Sequence, residues 1–118
     1  METKKPAVSA KETILSFIRA LNAEDFEAAR AEVNDDLSFI GVMGTRNGAK
    51  AYFDDMQKMK FKYDVKKIFQ DGNDVCIFYD IDMGKQTIFA CGWYQLVNGK
   101  ISTFRVVFDP RPLLEKDK

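Results

Sequence analysis

Two long apolar runs near the C-terminal end dominate the pattern of hydrophobic and polar positions. Residues 87–97 and 101–108 are rich in β-branched and aromatic side chains and meet at Asn98-Gly99. Asn-Gly between such runs is the strongest short-range signal for a tight antiparallel hairpin. Apolar side chains fall on both parities of each run, which is typical of strands covered on both faces. The pattern therefore predicts the two longest strands of a sheet.

Two helices are predicted at the start of the chain. Ser9 followed by Glu12 is a capping-box pattern, so a helix is expected from about residue 10 to residue 22. Its apolar residues share one helical stripe: Ile14, Phe17, Ile18 and Leu21. Asp25 is expected to cap a second helix over residues 26–33. The polar residues 34–36 end it, because short polar side chains favour turns.

A short strand, a third helix and two further strands complete the pattern. Residues 37–42 predict a short strand, and residues 49–59 predict a helix with one apolar stripe. Residues 61–69 and 75–81 predict strands closed by short hairpin turns. Consecutive hairpins form a meander, and segregated helices indicate an α+β fold. We predict a single domain over residues 1–118, with an ordered core of about 9–112. In it, a four-strand meander plus one short strand packs against three helices from the N-terminal half.

Composition narrows the function classes. The chain has 118 residues, 46% of them hydrophobic, and 18 basic residues balance 18 acidic ones. Zero net charge provides no basic field for nucleic acid or an anionic membrane surface, so we expect neither partner. The sequence has no histidine, which removes the commonest general base and metal ligand. We therefore expect no metal ion and no cofactor.

Cysteine usage and the N-terminal residues indicate a compartment. Cys76 and Cys91 lie in predicted strands, where free cysteine behaves as a small apolar side chain. A disulfide between neighbouring strands is the alternative. The first ten residues lack the apolar core of a signal peptide, and no run approaches the ~18 apolar residues of a membrane span. These features predict a cytoplasmic protein with reduced cysteines.

The outer face of the predicted sheet is expected to be apolar and to pack against another protein surface. Three helices can shield one face, which leaves the other face of the central hairpin with an apolar surface larger than a soluble monomer normally exposes. The residues expected there are Phe89, Cys91, Trp93, Ile101 and Val107. We therefore expect a homodimer formed through this face.

Several segments together resemble the nuclear-transport-factor-2-like superfamily, in its SnoaL-like and ketosteroid-isomerase-like branch. The segments are residues 22–29 between the first helices, 44–48 before the third helix, 98–101 at the hairpin, and Phe108-Asp109. The resemblance spans residues 10–112. It implies a cone-shaped curved sheet, a pocket between the helices and the concave sheet face for a small hydrophobic molecule, and frequent dimerisation.

The catalytic groups of the best-known enzymes in this branch do not carry over. Ketosteroid isomerase uses a carboxylate base with a tyrosine and a protonated acid. By motif spacing, the tyrosine position falls on Phe17 and the base on Gly41; the second acid falls on Gly92 with a one-residue adjustment near Asn98, or else on Trp93. The last aspartate of the epoxide-hydrolase pattern falls on Val106. Neither mechanism is expected.

The predicted pocket is therefore mostly apolar. The resemblance implies that the side chains of Phe104, Val106 and Phe108 face the pocket. The residues expected to face them are Phe17, Leu21, Phe39, Gly41, Tyr52, Met56, Ile88, Ala90, Gly92 and Tyr94. Glycine at two wall positions leaves room for a ligand. The alternative is that aromatic side chains refill that space.

Three polar side chains are candidates for chemistry. Tyr52 and Tyr94 could orient a ligand oxygen, unless they are core tyrosines whose hydroxyls reach solvent. Asp80 could act as a base if it faced the pocket, where burial would raise its pKa. The alternative is that Asp80 and Asp82 mark a hydrated strand end. The pattern leaves open which parity of residues 75–81 points inward.

These observations favour a domain that binds a small hydrophobic molecule without the ketosteroid isomerase or epoxide hydrolase catalytic groups. Two alternatives remain. One is an enzyme of the same class, an isomerase, cyclase or dehydratase, that uses Asp80 or a tyrosine. The other is a homodimeric interaction module with a vestigial pocket.

Overall fold

The three longer helices lie in the first half of the chain, and the four longest strands lie in the second half. The structure, a computed structural model, describes residues 9–114. Its elements in chain order are α1 (Ala10–Asn22), α2 (Phe26–Ala31), β1 (Val33–Ile40), β2 (Thr45–Asn47), α3 (Ala49–Met59), β3 (Lys62–Asp71), β4 (Asp74–Asp82), β5 (Thr87–Val97), β6 (Lys100–Phe108) and α4 (Arg111–Leu114). The predicted α+β fold is confirmed, with one strand and one short helix more than predicted.

All six strands of the described residues form one sheet in the order β2-β1-β6-β5-β4-β3. The meander from β3 to β6 is antiparallel, as the hairpin signals predict. Strand β1 pairs in parallel with β6 and antiparallel with the short strand β2. The first strand of the chain therefore adds to the meander beside the last one, a connection that no local signal specifies.

Local capping and turn signals give the expected boundaries. The Ser9 hydroxyl accepts a hydrogen bond from the amide of Glu12 at 3.1 Å, and the Glu12 carboxylate accepts one from the amide of Ser9. Helix α1 therefore begins at Ala10, as predicted. Asn98 and Gly99 both have positive φ angles, 54° and 79°. This is the backbone of a type I′ turn, so the predicted hairpin between β5 and β6 is confirmed.

The predicted boundary between α2 and β1 is wrong. Helix α2 ends at Ala31, and β1 begins at Val33 and includes the polar residues 34–36 that were expected to form a turn. Val33 pairs with Ile101 of β6, and the Asn34 side-chain amide donates to the Val97 carbonyl at 3.1 Å. Contacts with residues more than sixty positions away therefore override the local preference of Asn34 for a turn.

The inner face of the sheet packs against the helices and forms the core. In β4 the inward residues are Val75, Ile77, Tyr79 and Ile81. Phe17 and Leu21 of α1 and Tyr52 and Met56 of α3 belong to the same buried cluster. The sequence left open which side chains of residues 75–81 face the helices. In the structure Tyr79 faces inward, whereas Phe78 and Asp80 face outward.

A bulge in β6 changes the predicted inward set. Gln95 pairs with Thr103 and Leu96 with Ile101, so Ser102 is an extra residue in the ladder. One extra residue reverses the alternation of side chains beyond it. Ile101 is consequently fully buried, and its predicted place on the outer face is wrong.

The outer face is apolar along three neighbouring strands. The ring centroids of Phe69 and Phe78 are 6.2 Å apart, and those of Phe78 and Phe89 are 6.0 Å apart. The further exposed apolar side chains of this face include Trp93 and Val107. We call this surface, Phe69, Phe78, Phe89, Trp93 and Val107, the outer apolar face.

The two cysteines also lie on the outer side of the sheet and are free thiols. Their Sγ atoms are 3.7 Å apart, with Cys76 on β4 and Cys91 on β5. Burial, together with Cys76, raises the pKa of the Cys91 thiol to about 11.

Within residues 9–114, no helix is long and apolar enough to cross a membrane.

Candidate functional site

A cavity of about 480 Å³ opens between α3, the β1–β2 connection, the sheet and the C-terminal helix α4. Aromatic and aliphatic side chains from β3, β4 and β6 form its sheet wall. The lining residues are Phe39, Gly41, Val42, Met43, Gly44, Arg46, Tyr52, Asp55, Met56, Met59, Phe61, Tyr63, Ile81, Met83, Phe104, Val106, Phe108 and Leu113.

Part of the predicted pocket set lies on this cavity. The predicted residues that line it are Phe39, Gly41, Tyr52, Met56, Phe104, Val106 and Phe108. They come from β1, the loop that follows it, α3 and β6, and their convergence depends on the parallel pairing of β1 with β6. Phe39 lies opposite Phe104 in that pairing, with ring centroids 5.2 Å apart.

The other predicted residues are buried but do not line the cavity. Phe17 and Leu21 are covered by the rest of the core, with the Phe17 ring 6.2 Å from both Tyr94 and Phe104. Tyr94 stacks on Phe104 at 4.1 Å. Ile88 and Ala90 also lie on the inner face of β5 behind neighbouring side chains. Placing these residues in a ligand pocket was therefore wrong, because aromatic rings fill that part of the interior.

Gly92 makes room for a tyrosine instead of for a ligand. A Cβ atom built on Gly92 would overlap the Tyr79 hydroxyl and would lie 2.9 Å from Cε1 of Tyr94. Tyr79 lies opposite Ala90 in the β4–β5 register, so its ring passes over two small residues of the neighbouring strand. The predicted opening at Gly92 is therefore occupied.

All four tyrosines of the chain are buried close to one another. The hydroxyls of Tyr79 and Tyr94 are hydrogen-bonded at 2.8 Å, and the rings of Tyr63 and Tyr79 are 5.2 Å apart. Burial raises the pKa of all four phenols, and for Tyr52 the neighbouring Tyr63 and Tyr79 raise it further. These hydroxyls therefore stay protonated at neutral pH and act as hydrogen-bond donors.

Tyr52 differs from Tyr79 and Tyr94 in having an unsatisfied hydroxyl. Its side chain lines the cavity from α3 and is 2% exposed, and its hydroxyl has no hydrogen-bond partner among residues 9–114. Neither Tyr52 nor Tyr94 sends its hydroxyl to solvent, contrary to the alternative considered from sequence. A buried hydroxyl without a partner is unfavourable by about 1–3 kcal/mol.

An ion pair at the edge of the cavity was not found by sequence reasoning. Arg46 of β2 donates from Nε to Oδ2 of Asp55 on α3 at 2.6 Å, and from Nη1 to the Thr45 carbonyl at 3.0 Å. Both side chains are partly exposed. The sequence predicts a turn around Arg46. Its place beside the cavity depends on the pairing of β2 with β1.

The hypothesis that Asp80 is a base facing the pocket is wrong. Asp80 lies on the outer face of β4, and its Oδ2 is 3.6 Å from the Lys66 ammonium. The inward neighbours Tyr79 and Ile81 occupy the side of β4 that faces the helices. Asp80 therefore cannot reach the cavity, because adjacent strand residues point to opposite faces.

The lining of the cavity is apolar apart from two tyrosines and one ion pair. Arg46 and Asp55 are its charged lining residues within the described chain, and they neutralise each other. Residues 9–114 contain no group of three or more Cys, Asp or Glu side chains placed to hold a metal ion. The arrangement provides phenol donors beside an apolar surface and no buried carboxylate.

Comparison with known proteins gives one matching family model. It is described as the SnoaL-like domain and matches residues 14–104, which is most of the chain. No curated protein matches the chain.

Several solved structures are also similar to the chain. An NTF2-like protein of unknown function from Cytophaga hutchinsonii is 49% identical, with a TM-score of 0.90 over 98% of this chain and 100% of that protein. An LEH-like epoxide hydrolase from M. tuberculosis is 24% identical, with a TM-score of 0.75 over 86% of this chain and 84% of that protein. A cystatin-fold protein from Novosphingobium aromaticivorans is 18% identical, with a TM-score of 0.78 over 85% and 98%. The two more distant similarities support the fold alone.

Proposed function

The chain belongs to the SnoaL-like domain family, as its motifs predict, and from this premise we propose that it binds a small, largely apolar molecule that carries a hydrogen-bond acceptor oxygen. The unpartnered hydroxyl of Tyr52 carries this proposal. It is buried beside an apolar cavity, and no residue in the described part of the chain accepts its proton. A ligand oxygen at this point would accept this proton and remove the free-energy cost of the unpaired buried donor.

The volume and lining of the cavity support a ligand of modest size. Ligand sites for small molecules commonly measure about 300–1,000 Å³ and combine apolar walls with a few polar groups. The cavity of about 480 Å³ falls in this range. Phe39, Phe104 and Phe108 supply flat apolar contact surface, and Tyr52 and Tyr63 are the two tyrosines of the lining.

The protonation of Tyr52 determines which ligand group fits. Its pKa lies well above the ordinary value because of burial, so the phenol is a donor throughout the physiological pH range. A carbonyl or ether oxygen satisfies a donor directly, whereas a hydrocarbon leaves it unsatisfied. We therefore propose a ketone, ester or ether group in the ligand, held by binding interactions and without proton transfer to a carboxylate.

Matched ligand pairs test this proposal. 2-Acetylnaphthalene and 2-isopropenylnaphthalene have the same shape and differ by an oxygen in place of a methylene group, as do 1-acetyladamantane and 1-isopropenyladamantane. Binding is measured by calorimetry on the wild-type chain, Tyr52→Phe and Asp80→Asn. We expect the ketone of at least one pair to bind about tenfold more tightly than its isostere, which corresponds to about 1.4 kcal/mol.

The variants separate the role of Tyr52 from a general effect. Tyr52→Phe is expected to abolish the preference for the ketone and to leave the affinity for the isostere unchanged. Asp80→Asn is expected to change neither, because Asp80 lies on the other face of the sheet. Failure of all four compounds to bind the wild-type chain with Kd below about 1 mM, or a ketone preference that survives in Tyr52→Phe, would overturn the proposal.

A further inference from the structure

Methionine side chains are concentrated around the cavity. The chain has five methionines, and Met43, Met56, Met59 and Met83 all line this one cavity. Met1 lies outside the described residues. The four come from three separate parts of the fold: the loop after β1, helix α3 and the β4–β5 connection. Their convergence is therefore a property of the tertiary structure.

Their exposure increases from the floor to the opening of the cavity. Met56 is 3% exposed, whereas Met59 is 45% and Met43 is 57% exposed. Met83 is half-buried and packs against the edge of the core. We call Met43, Met59 and Met83 the methionine rim. The Arg46–Asp55 ion pair lines the same cavity.

The two sides of the cavity differ in stiffness. The sheet wall carries Phe104, Val106 and Phe108 on a strand that is paired on both sides, and aromatic and β-branched side chains have few rotamers. Methionine is unbranched, has three rotatable bonds and a polarizable sulfur, and fits irregular apolar surfaces. One wall is therefore fixed, and the rim can repack.

We infer that the methionine rim makes this cavity tolerant of ligand shape, so that it accepts flat aromatic and compact aliphatic molecules of equal size with similar affinity. This inference rests on the proposed function, because it concerns the range of molecules that the same cavity binds. Surfaces that repack through methionine bind partners of several shapes. A single ligand of fixed shape would instead favour a rim of branched side chains packed against it.

The test compares two ketones of the same heavy-atom count. 2-Acetylnaphthalene is flat and 1-acetyladamantane is compact, and both offer the acetyl oxygen to Tyr52. We expect their Kd values for the wild-type chain to agree within about fivefold. In the triple variant Met43→Leu, Met59→Leu, Met83→Leu, we expect the two values to differ by more than about tenfold, because leucine keeps the apolar volume but is branched and stiffer.

Controls separate shape tolerance from folding and from the proposed function. Val97→Leu, at an exposed apolar position on β5 that does not line the cavity, is the control and is expected to keep the wild-type ratio of affinities. If the triple variant has a lowered Tm, the ratio of the two ketone Kd values is measured instead in the three single rim variants. A wild-type ratio above about fivefold, or a triple variant with the wild-type ratio, would overturn this inference while leaving ligand binding intact. Failure of both ketones to bind the wild-type chain would instead overturn the proposed function.

Discussion

The hydroxyls of Tyr79 and Tyr94 are hydrogen-bonded to each other at 2.8 Å inside the core, beside the backbone of Gly92. The two tyrosines come from neighbouring strands, with Tyr79 opposite Ala90 and Tyr94 opposite Val75. Their pairing satisfies both buried hydroxyls and fills the centre of the concave sheet face. Residues of β1, β3, β4, β6 and α3 line the cavity, and none of the described lining residues lies on β5, which carries Tyr94 and Gly92.

Gly92→Ala tests this arrangement. The added methyl group would overlap the Tyr79 hydroxyl, and overpacking of a core commonly destabilises by about 1–3 kcal/mol. We expect a loss in that range in urea unfolding at unchanged m value. In the Tyr79→Phe background, the same substitution is expected to be less unfavourable, because the nearest overlapping atom is gone. An equal loss in both backgrounds would show that Tyr79 does not depend on Gly92.

Alkaline pH is expected to unfold the protein cooperatively. All four tyrosines have raised pKa values in the fold because they are buried. In the unfolded chain they lose their protons at about pH 10, so above that pH the unfolded state binds fewer protons and is favoured. Stability is complete below about pH 10 and falls by about 5 kcal/mol per pH unit above it if all four groups contribute.

The near-ultraviolet absorbance of tyrosinate measures this transition directly. We expect tyrosinate to appear in one step that coincides with the loss of the circular dichroism signal. A gradual titration centred near the ordinary tyrosine pKa, with the fold intact, would contradict the buried cluster.

Removing the hydroxyls of Tyr52 and Tyr94 is expected to have opposite effects on stability. Tyr52→Phe removes a buried donor that has no partner among the described residues, so we expect the free energy of unfolding to rise by about 1 kcal/mol. Tyr94→Phe leaves the Tyr79 hydroxyl without its partner, so we expect a loss of about 1–2 kcal/mol. Chemical denaturation of both variants measures the two changes. A loss of stability in Tyr52→Phe would mean that its hydroxyl has a partner.

The outer apolar face is expected to bind a second copy of the chain. Phe69, Phe89, Trp93 and Val107 are each between 44% and 58% exposed on one sheet surface, and such a continuous patch commonly marks an interface. The zero net charge of the chain opposes self-association only weakly. Sedimentation velocity is expected to give a dimer that Phe89→Lys with Val107→Lys converts to a monomer. Leu114→Lys, at an equally exposed position on α4, is the control. A wild-type monomer would contradict this prediction.

Local signals predicted much of the framework. The boundaries of α1 and α3 and the hairpin at Asn98-Gly99 agree with the structure. Each depends on residues within about four positions of one another, because capping, helical periodicity and tight turns are short-range interactions. Val33 and Asn34 show where such signals fail, since Val33 pairs with Ile101 of β6 and the Asn34 side chain donates to the Val97 carbonyl of β5.

The sequence by itself determined an α+β fold of the SnoaL-like family with an apolar interior. Only the tertiary structure decided which apolar residues surround empty space. The Ser102 bulge turned Ile101 inward, the ring of Tyr79 filled the gap at Gly92, and four methionines from three separate parts of the chain converged on the cavity. The physical reason is that strand register and side-chain packing depend on contacts between residues far apart in sequence, and a change of one position reverses the face on which a side chain lies.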